Sequence, residues 1–192
     1  MERSEITDSE LAILAQKGDD AAFEALMRRH MQAMWYFVRQ YSKNEEDTED
    51  IVQDAFFKAW KNLKRFDPGR SFKPWLFKIA RNTALDQIKK RRSMAFSELD
   101  SDEGEAPFAE TLEDAEPLAH ELFEQAELRA ELDEALETLH PDHRAVLIMR
   151  YQEGLSFVEI GEILDRPMNT VKSWHRRALH KAQKSLPHRK PR

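Results

Sequence analysis

Lys172, Ser173, Arg176, Arg177, His180 and Lys181 recur along a stretch that reads as one helix, preceded by Asn169 and Thr170. Cationic and hydroxyl groups at that spacing suit phosphate neutralisation and hydrogen bonding to base edges. A second set lies upstream. Lys64–Ser71, KRFDPGRS, is a basic, aromatic turn, and FKPWLFKIARNTALDQIKKRR follows it. Here Arg65, Phe66, Arg70, Phe72, Lys73, Lys78, Arg81, Asn82 and Lys89 mix rings with cations, the combination that stacks unpaired bases and holds their phosphates. Catalytic chemistry has no comparable support. The chain has no cysteine, its seven histidines are scattered, and no glycine-rich phosphate loop is present. The acids Glu45, Glu46, Asp47, Glu49 and Asp50 have no nearby histidine and read as a helix start, so no metal, cofactor or catalytic residue is expected.

The elements that must position these groups are helical. Ser156 with Glu159 forms a capping box, after which Phe157, Ile160, Ile163 and Leu164 recur at helical spacing. Asp165-Arg166-Pro167 breaks that run, and a second helix opens at Asn169 or Thr170 with Val171, His175, Ala178 and Ala182 on one face. A short packing helix, a tight turn and a basic helix make a helix-turn-helix able to enter a major groove.

Upstream, four more helices are expected. Thr7 with Glu10 caps the first, which ends near Lys17 before Gly18-Asp19. The second spans Asp20–Tyr41. The third begins near Asp47 and buries Ile51, Ala55, Phe56, Trp60 and Leu63. The fourth runs Ser71–Arg92 and tolerates Pro74 in its first turn. Phe72, Trp75, Leu76, Ile79, Ala80, Thr83, Ala84 and Ile88 read mostly as its core side, with Lys73, Lys78, Arg81, Asn82, Gln87, Lys89 and Lys90 outside. With five glycines and no sustained apolar/polar alternation, the fold class is all-α.

The formal net charge of −6 hides an uneven distribution. Residues 58–92 carry 12 Lys/Arg against 2 Asp/Glu, and residues 140–192 carry 11 against 5. Residues 93–120, SMAFSELDSDEGEAPFAETLEDAEPLAH, contain 9 acids and no Lys or Arg. That composition predicts an acidic, extended linker between two small domains, 1–92 and 121–192. MERSEITDSE is acidic where a signal peptide would be basic and then apolar, and no apolar run nears the roughly 20 residues that span a bilayer. A cytoplasmic protein without membrane insertion is expected.

Three blocks in order carry a family resemblance: DTEDIVQDAFFKAW at 47–60, FKPWLFKIARNTALDQIKKRR at 72–92, and TLHPDHRAVLIMRYQEGLSFVEIGEILDRPMNTVKSWHRRAL at 138–179. Together they resemble an extracytoplasmic-function (ECF) sigma factor of bacterial RNA polymerase, over nearly the whole chain except the linker. The resemblance implies a sigma factor that binds core RNA polymerase, directs it to specific promoters and assists promoter opening. It places Asp50, Gln53, Asp54 and Trp60 at the β′ clamp helices and the C-terminal domain at the β flap. It implies −10 element capture and melting by the loop and helix at 65–92, with a flipped base held by the loop. Asn169, Thr170, Lys172, Ser173, Arg176 and Arg177 would meet the −35 element, Arg177 more at phosphate. It also implies an anti-sigma partner.

Trp174-His175 stands where the family commonly has a basic and then an aliphatic residue. His175 falls on the packing face, while Trp174 is open between stacking and packing. Two rival classes predict less: a stand-alone regulator leaves the blocks at 47–60 and 72–92 without a role, and a decoy for an anti-sigma factor should lose its DNA-facing cations.

Overall fold

The computed structural model describes residues 6–42, 44–95, 136 and 138–185. Its main helices are α1 (Asp8–Gln16), α2 (Asp20–Val38), α3 (Glu45–Asn62), α4 (Phe72–Ala95), α5 (Pro141–Tyr151), α6 (Phe157–Leu164) and α7 (Met168–Ser185), with a 3₁₀ turn at Leu63–Arg65. No strand occurs among the described residues. The protein is all-α, with two helical domains.

Local chemistry sets the helix boundaries. Thr7 and Glu10 form the expected capping box, and Gly18 takes φ 97° to turn the chain into α2, where Asp19 accepts from Ala22 N at 3.1 Å. α2 ends at Val38, short of Tyr41, because Arg39–Tyr41 close in a turn. α3 begins at Glu45, two residues before the expected start, since the Asn44 side chain accepts from Asp47 N at 2.8 Å. α4 continues to Ala95, three residues into the segment read as linker. The rest of that linker (96–120) and the expected start of the C-terminal domain (121–135) lie outside the described residues.

In the N-terminal domain α1–α4 surround a core in which Phe37 and Phe77 are fully buried, ring centroids 4.9 Å apart. Truncating either to alanine should cost about 3–5 kcal/mol. Asp8 ties α1 to α2 through His30 Nε2 at 2.7 Å and Arg29 Nη1 at 2.6 Å. Burial alone would raise the Asp8 carboxyl, but the His30 and Arg29 hydrogen bonds outweigh it and hold the pKa at about 2.

The C-terminal helices form a helix-turn-helix. Ser156 and Glu159 make the second capping box. Asp165 adopts φ 50° at the turn, and a Cβ on Gly161 would sit 2.7 Å from Arg166 O, so only glycine allows this close approach. α7 opens at Met168, one residue before the expected start. α4 packs against α6, and one apolar cluster runs from Phe72, Leu76 and Ala80 into Val146, Met149, Ile160 and Ile163.

Candidate nucleic-acid and polymerase interfaces

Three surfaces collect the residues singled out in the sequence. The first is the outer side of α3. Asp50 and Gln53 are exposed, and Asp54 is half-buried with Lys58 Nζ 3.1 Å from its carboxylate. Asp54 also walls a groove of about 520 Å³ between α3 and α4, with Thr83 and Lys90 on its far side. Trp60 corrects the sequence reading: expected on the buried side, it is 51% exposed. Phe57, which that reading passed over, is 50% exposed and stacks on Trp60 at 6.3 Å, with Lys61 Nζ 4.2 Å from its ring centre. The spacing 50, 53, 54, 57, 60 marks one helical face and was the available signal. Two large exposed rings beside acids make this face a candidate interface.

The second surface is the 65–71 loop with α4. Gln16 Nε2 donates to Leu63 O at 2.8 Å and Phe66 O at 2.7 Å, fixing the loop entry. Asp67 Oδ1 accepts from Gly69 N at 2.9 Å, and Arg70 N donates to Asp67 O at 3.0 Å, which closes the turn. Phe66 and Phe72, named as candidate stacking rings, are 4% and 2% exposed, and Phe72 lies in the core as its helical spacing suggests. They pack on each other at 5.4 Å and on half-buried Trp75 at 5.0 and 5.4 Å, forming an aromatic floor beneath the loop. His30 extends the floor, 5.7 Å from Phe72. Arg65, Arg70, Asn82 and Lys89 are exposed, and Lys73 and Lys78 half-buried. Lys78, Asn82 and Lys89 share one side of the helix by spacing.

Arg81 is a correction. Expected outside, it is 8% exposed, because its Nη2 lies 3.4 Å from Asp142 Oδ2. Tyr41 Oη donates to the other oxygen of that carboxylate at 3.0 Å. Burial first, and then the Asp142 charge, push the Tyr41 phenol well above its ordinary range, so it remains a donor. Three further cations of this surface face acids of the C-terminal domain: Lys73 to Glu153 at 2.9 Å, Lys78 to Asp165 at 2.5 Å and Arg70 to Glu162 at 3.6 Å.

The third surface is α7. Asn169, Lys172, Ser173 and Arg176 are exposed; Thr170 and Arg177 are half-buried. Ser173 Oγ donates to Asn169 O at 3.0 Å. Val171, His175, Ala178 and Ala182 are buried as the periodicity predicts. Trp174 resolves as core, 5% exposed and 5.2 Å from the His143 ring. His175 is also core, with Tyr151 Oη 2.9 Å from its Nε2. Neither is placed to read a base.

No group of three or more His, Asp or Glu among the described residues is arranged to hold a metal, and no described helix is long and apolar enough to cross a membrane.

Comparison with known proteins gives two family matches in order along the chain. Residues 26–94 match the sigma-70 region 2 family and residues 129–181 the sigma-70 region 4 family. The chain is 30% identical over 173 residues to the ECF RNA polymerase sigma factor SigW of Bacillus subtilis (strain 168), covering 89% of this chain and 90% of that protein. It is 34% identical over 175 residues to the ECF RNA polymerase sigma-E factor of Escherichia coli (strain K12), covering 88% of each. Among solved structures, CnrH in complex with the cytosolic domain of CnrY aligns with a TM-score of 0.64 at 28% identity, covering 92% of this chain and 95% of that one. The sigma factor RpoE in complex with the anti-sigma factor NepR, from Bartonella quintana, aligns with a TM-score of 0.63 at 25% identity, over 85% and 95%. The chain therefore belongs to the ECF family of RNA polymerase sigma factors, which direct promoter-specific transcription initiation with RNA polymerase.

Proposed function

We propose a division of that activity among the three surfaces. The outer face of α3, with Asp50, Gln53, Asp54, Phe57 and Trp60, binds the β′ clamp helices of core polymerase. The loop at 65–71 and α4 hold the −10 element: Arg65, Arg70, Lys73, Lys78, Asn82 and Lys89 contact the strand, with Arg81 joining them. Phe66 and Phe72 act as the floor that shapes the loop's base pocket and not as stacking rings. Lys172, Ser173, Arg176, Asn169 and Thr170 on α7 read the −35 element, and Arg177 braces the helix or meets phosphate. The C-terminal domain sits at the β flap.

One observation carries this reading. The aromatic-acidic face lies on α3, while the two cationic faces lie on α4 and α7, one in each domain, so a single chain offers polymerase one surface and DNA two. Polymerase supplies the bond-making chemistry, and the chain itself works as a non-catalytic cytoplasmic protein. The complex of the related sigma factor RpoE with the anti-sigma factor NepR supports a similar controlling partner here.

The test compares duplex and pre-melted promoter templates with core polymerase. Arg70→Ala with Lys73→Ala should initiate poorly on duplex yet recover when the −10 region is already mismatched. Equal defects on both templates, with helicity intact, would remove strand opening from this loop.

A further inference from the structure

The −10 surface is not vacant: Arg70, Lys73, Lys78 and Arg81 are held by carboxylates of the same chain. Lys73 pairs with Glu153, whose backbone oxygen also accepts from Lys73 Nζ at 3.2 Å. Lys78 pairs with Asp165, Arg70 with Glu162, and Arg81 shares Asp142 with Tyr41. All four acids lie on or beside α5 and α6. Asn169, Lys172, Ser173 and Arg176 on α7 stay exposed in the same arrangement.

We infer that the C-terminal domain is a built-in competitor for the −10 strand: the free chain populates a closed state in which these carboxylates occupy the sites of DNA phosphates on α4. This rests on the assignment of α4 to the −10 element. The pairs differ in weight. Arg70–Glu162 is 68% and 53% exposed by side chain and contributes little. Lys73–Glu153, at 29% and 10%, and Arg81–Asp142, at 9% and 14%, are largely shielded from solvent and salt. The apolar seam between α4 and α6 adds a term that salt does not screen. Against these, Arg81 Nε is buried without a hydrogen-bond partner, a cost that keeps closure reversible. A phosphate, with more acceptor oxygens, could satisfy the guanidinium more fully. Opening would therefore be required before −10 capture, whereas −35 reading would not require it.

The experiment uses the full chain. Because it has no cysteine, Gln32→Cys and Lys184→Cys on exposed positions of α2 and α7 provide two unique dye sites for energy transfer. In that background Glu153→Gln, Glu162→Gln and Asp165→Asn, combined, should lower transfer. They should also tighten binding of a mixed-sequence single-stranded DNA of about 12 nucleotides. The gain expected is roughly tenfold, as for opening a population that is about nine-tenths closed. Asparagine at 165 keeps a residue that tolerates the left-handed backbone there. A charge exchange separates latch from fold: Glu153→Lys alone should lower transfer, and adding Lys73→Glu should restore it. Unchanged transfer in the triple variant, with native helicity, would overturn the closed state. Lower transfer without any gain in strand affinity would uphold closure and overturn the assignment of α4 to the strand.

Discussion

The two cationic surfaces of this sigma factor differ in what already touches them. On α4, Lys73, Lys78 and Arg81 face carboxylates of the other domain, and Arg81 is nearly withdrawn from solvent. On α7, Lys172 and Arg176 lie exposed beside Ser173. Yet residues 58–92, with 12 Lys/Arg against 2 acids, form the more strongly basic block. Local charge thus marks where nucleic acid would bind, while tertiary pairing decides whether the site is open. The helix proposed to act on melted DNA is covered, and the helix proposed to read intact duplex is presented. That asymmetry is what the following substitutions probe.

The largest effect should come from the surface both DNA faces depend on. Phe57→Ala with Trp60→Ala should weaken core polymerase binding by about 2–4 kcal/mol, with little change in thermal stability, because both rings are half exposed. Binding is measured by titration of labelled core enzyme, and promoter discrimination should fall at both elements together. Gly161→Ala should act on one side only. Its new Cβ meets Arg166 O at 2.7 Å, so the helix-turn-helix loses about 1–3 kcal/mol and −35 binding drops with it. Thermal melting and duplex titration report the two losses.

Substitutions on α7 sharpen the contrast further. Arg176→Ala should lose about 1–3 kcal/mol of preference for the −35 sequence, while Lys172→Ala should weaken duplexes uniformly and lower the salt slope by about one ion. Competition titrations at several salt concentrations separate these outcomes.

The smallest effect is expected from Asp8→Asn, which disturbs His30 and through it the Phe72 floor of the −10 loop. Asp8 is held at about 2 against an ordinary 3.8, so its charged form stabilises the fold above the ordinary value and loses that contribution as pH falls towards 2. Wild type should exceed Asp8→Asn by about 1–2 kcal/mol near neutrality, and the gap should close by about pH 2. Denaturant melts across that range measure it, and −35 binding at pH 7 should not change.

Much of this architecture was legible because it depends on neighbours in sequence. Thr7 with Glu10 and Ser156 with Glu159 predict capping boxes three residues apart, and both form. The buried stripe Val171, His175, Ala178 and Ala182 follows from helical period. What escaped depends on distant partners. Arg81 looks exposed by spacing and is buried because Asp142 and Tyr41 meet it from other helices. Phe66 sits in a basic loop, which suggested a stacking ring, but only its packing with Phe72 and Trp75 reveals a floor. Trp60 fits the apolar periodicity of α3 and still faces out, together with Phe57. In the pair Phe56-Phe57 consecutive side chains diverge on a helix, so one ring had to face outward.

The most direct measurement maps transcription starts from a genomic fragment library, using core polymerase with the wild-type chain, Arg176→Ala, or Arg70→Ala with Lys73→Ala. The account predicts wild-type starts that share an upstream and a downstream motif. Arg176→Ala should relax only the upstream motif. Arg70→Ala with Lys73→Ala should leave that motif intact while depleting starts whose −10 region is hardest to melt. Starts no more frequent than with core polymerase alone, or two variants that relax the same motif, would contradict the division of promoter reading between α7 and α4.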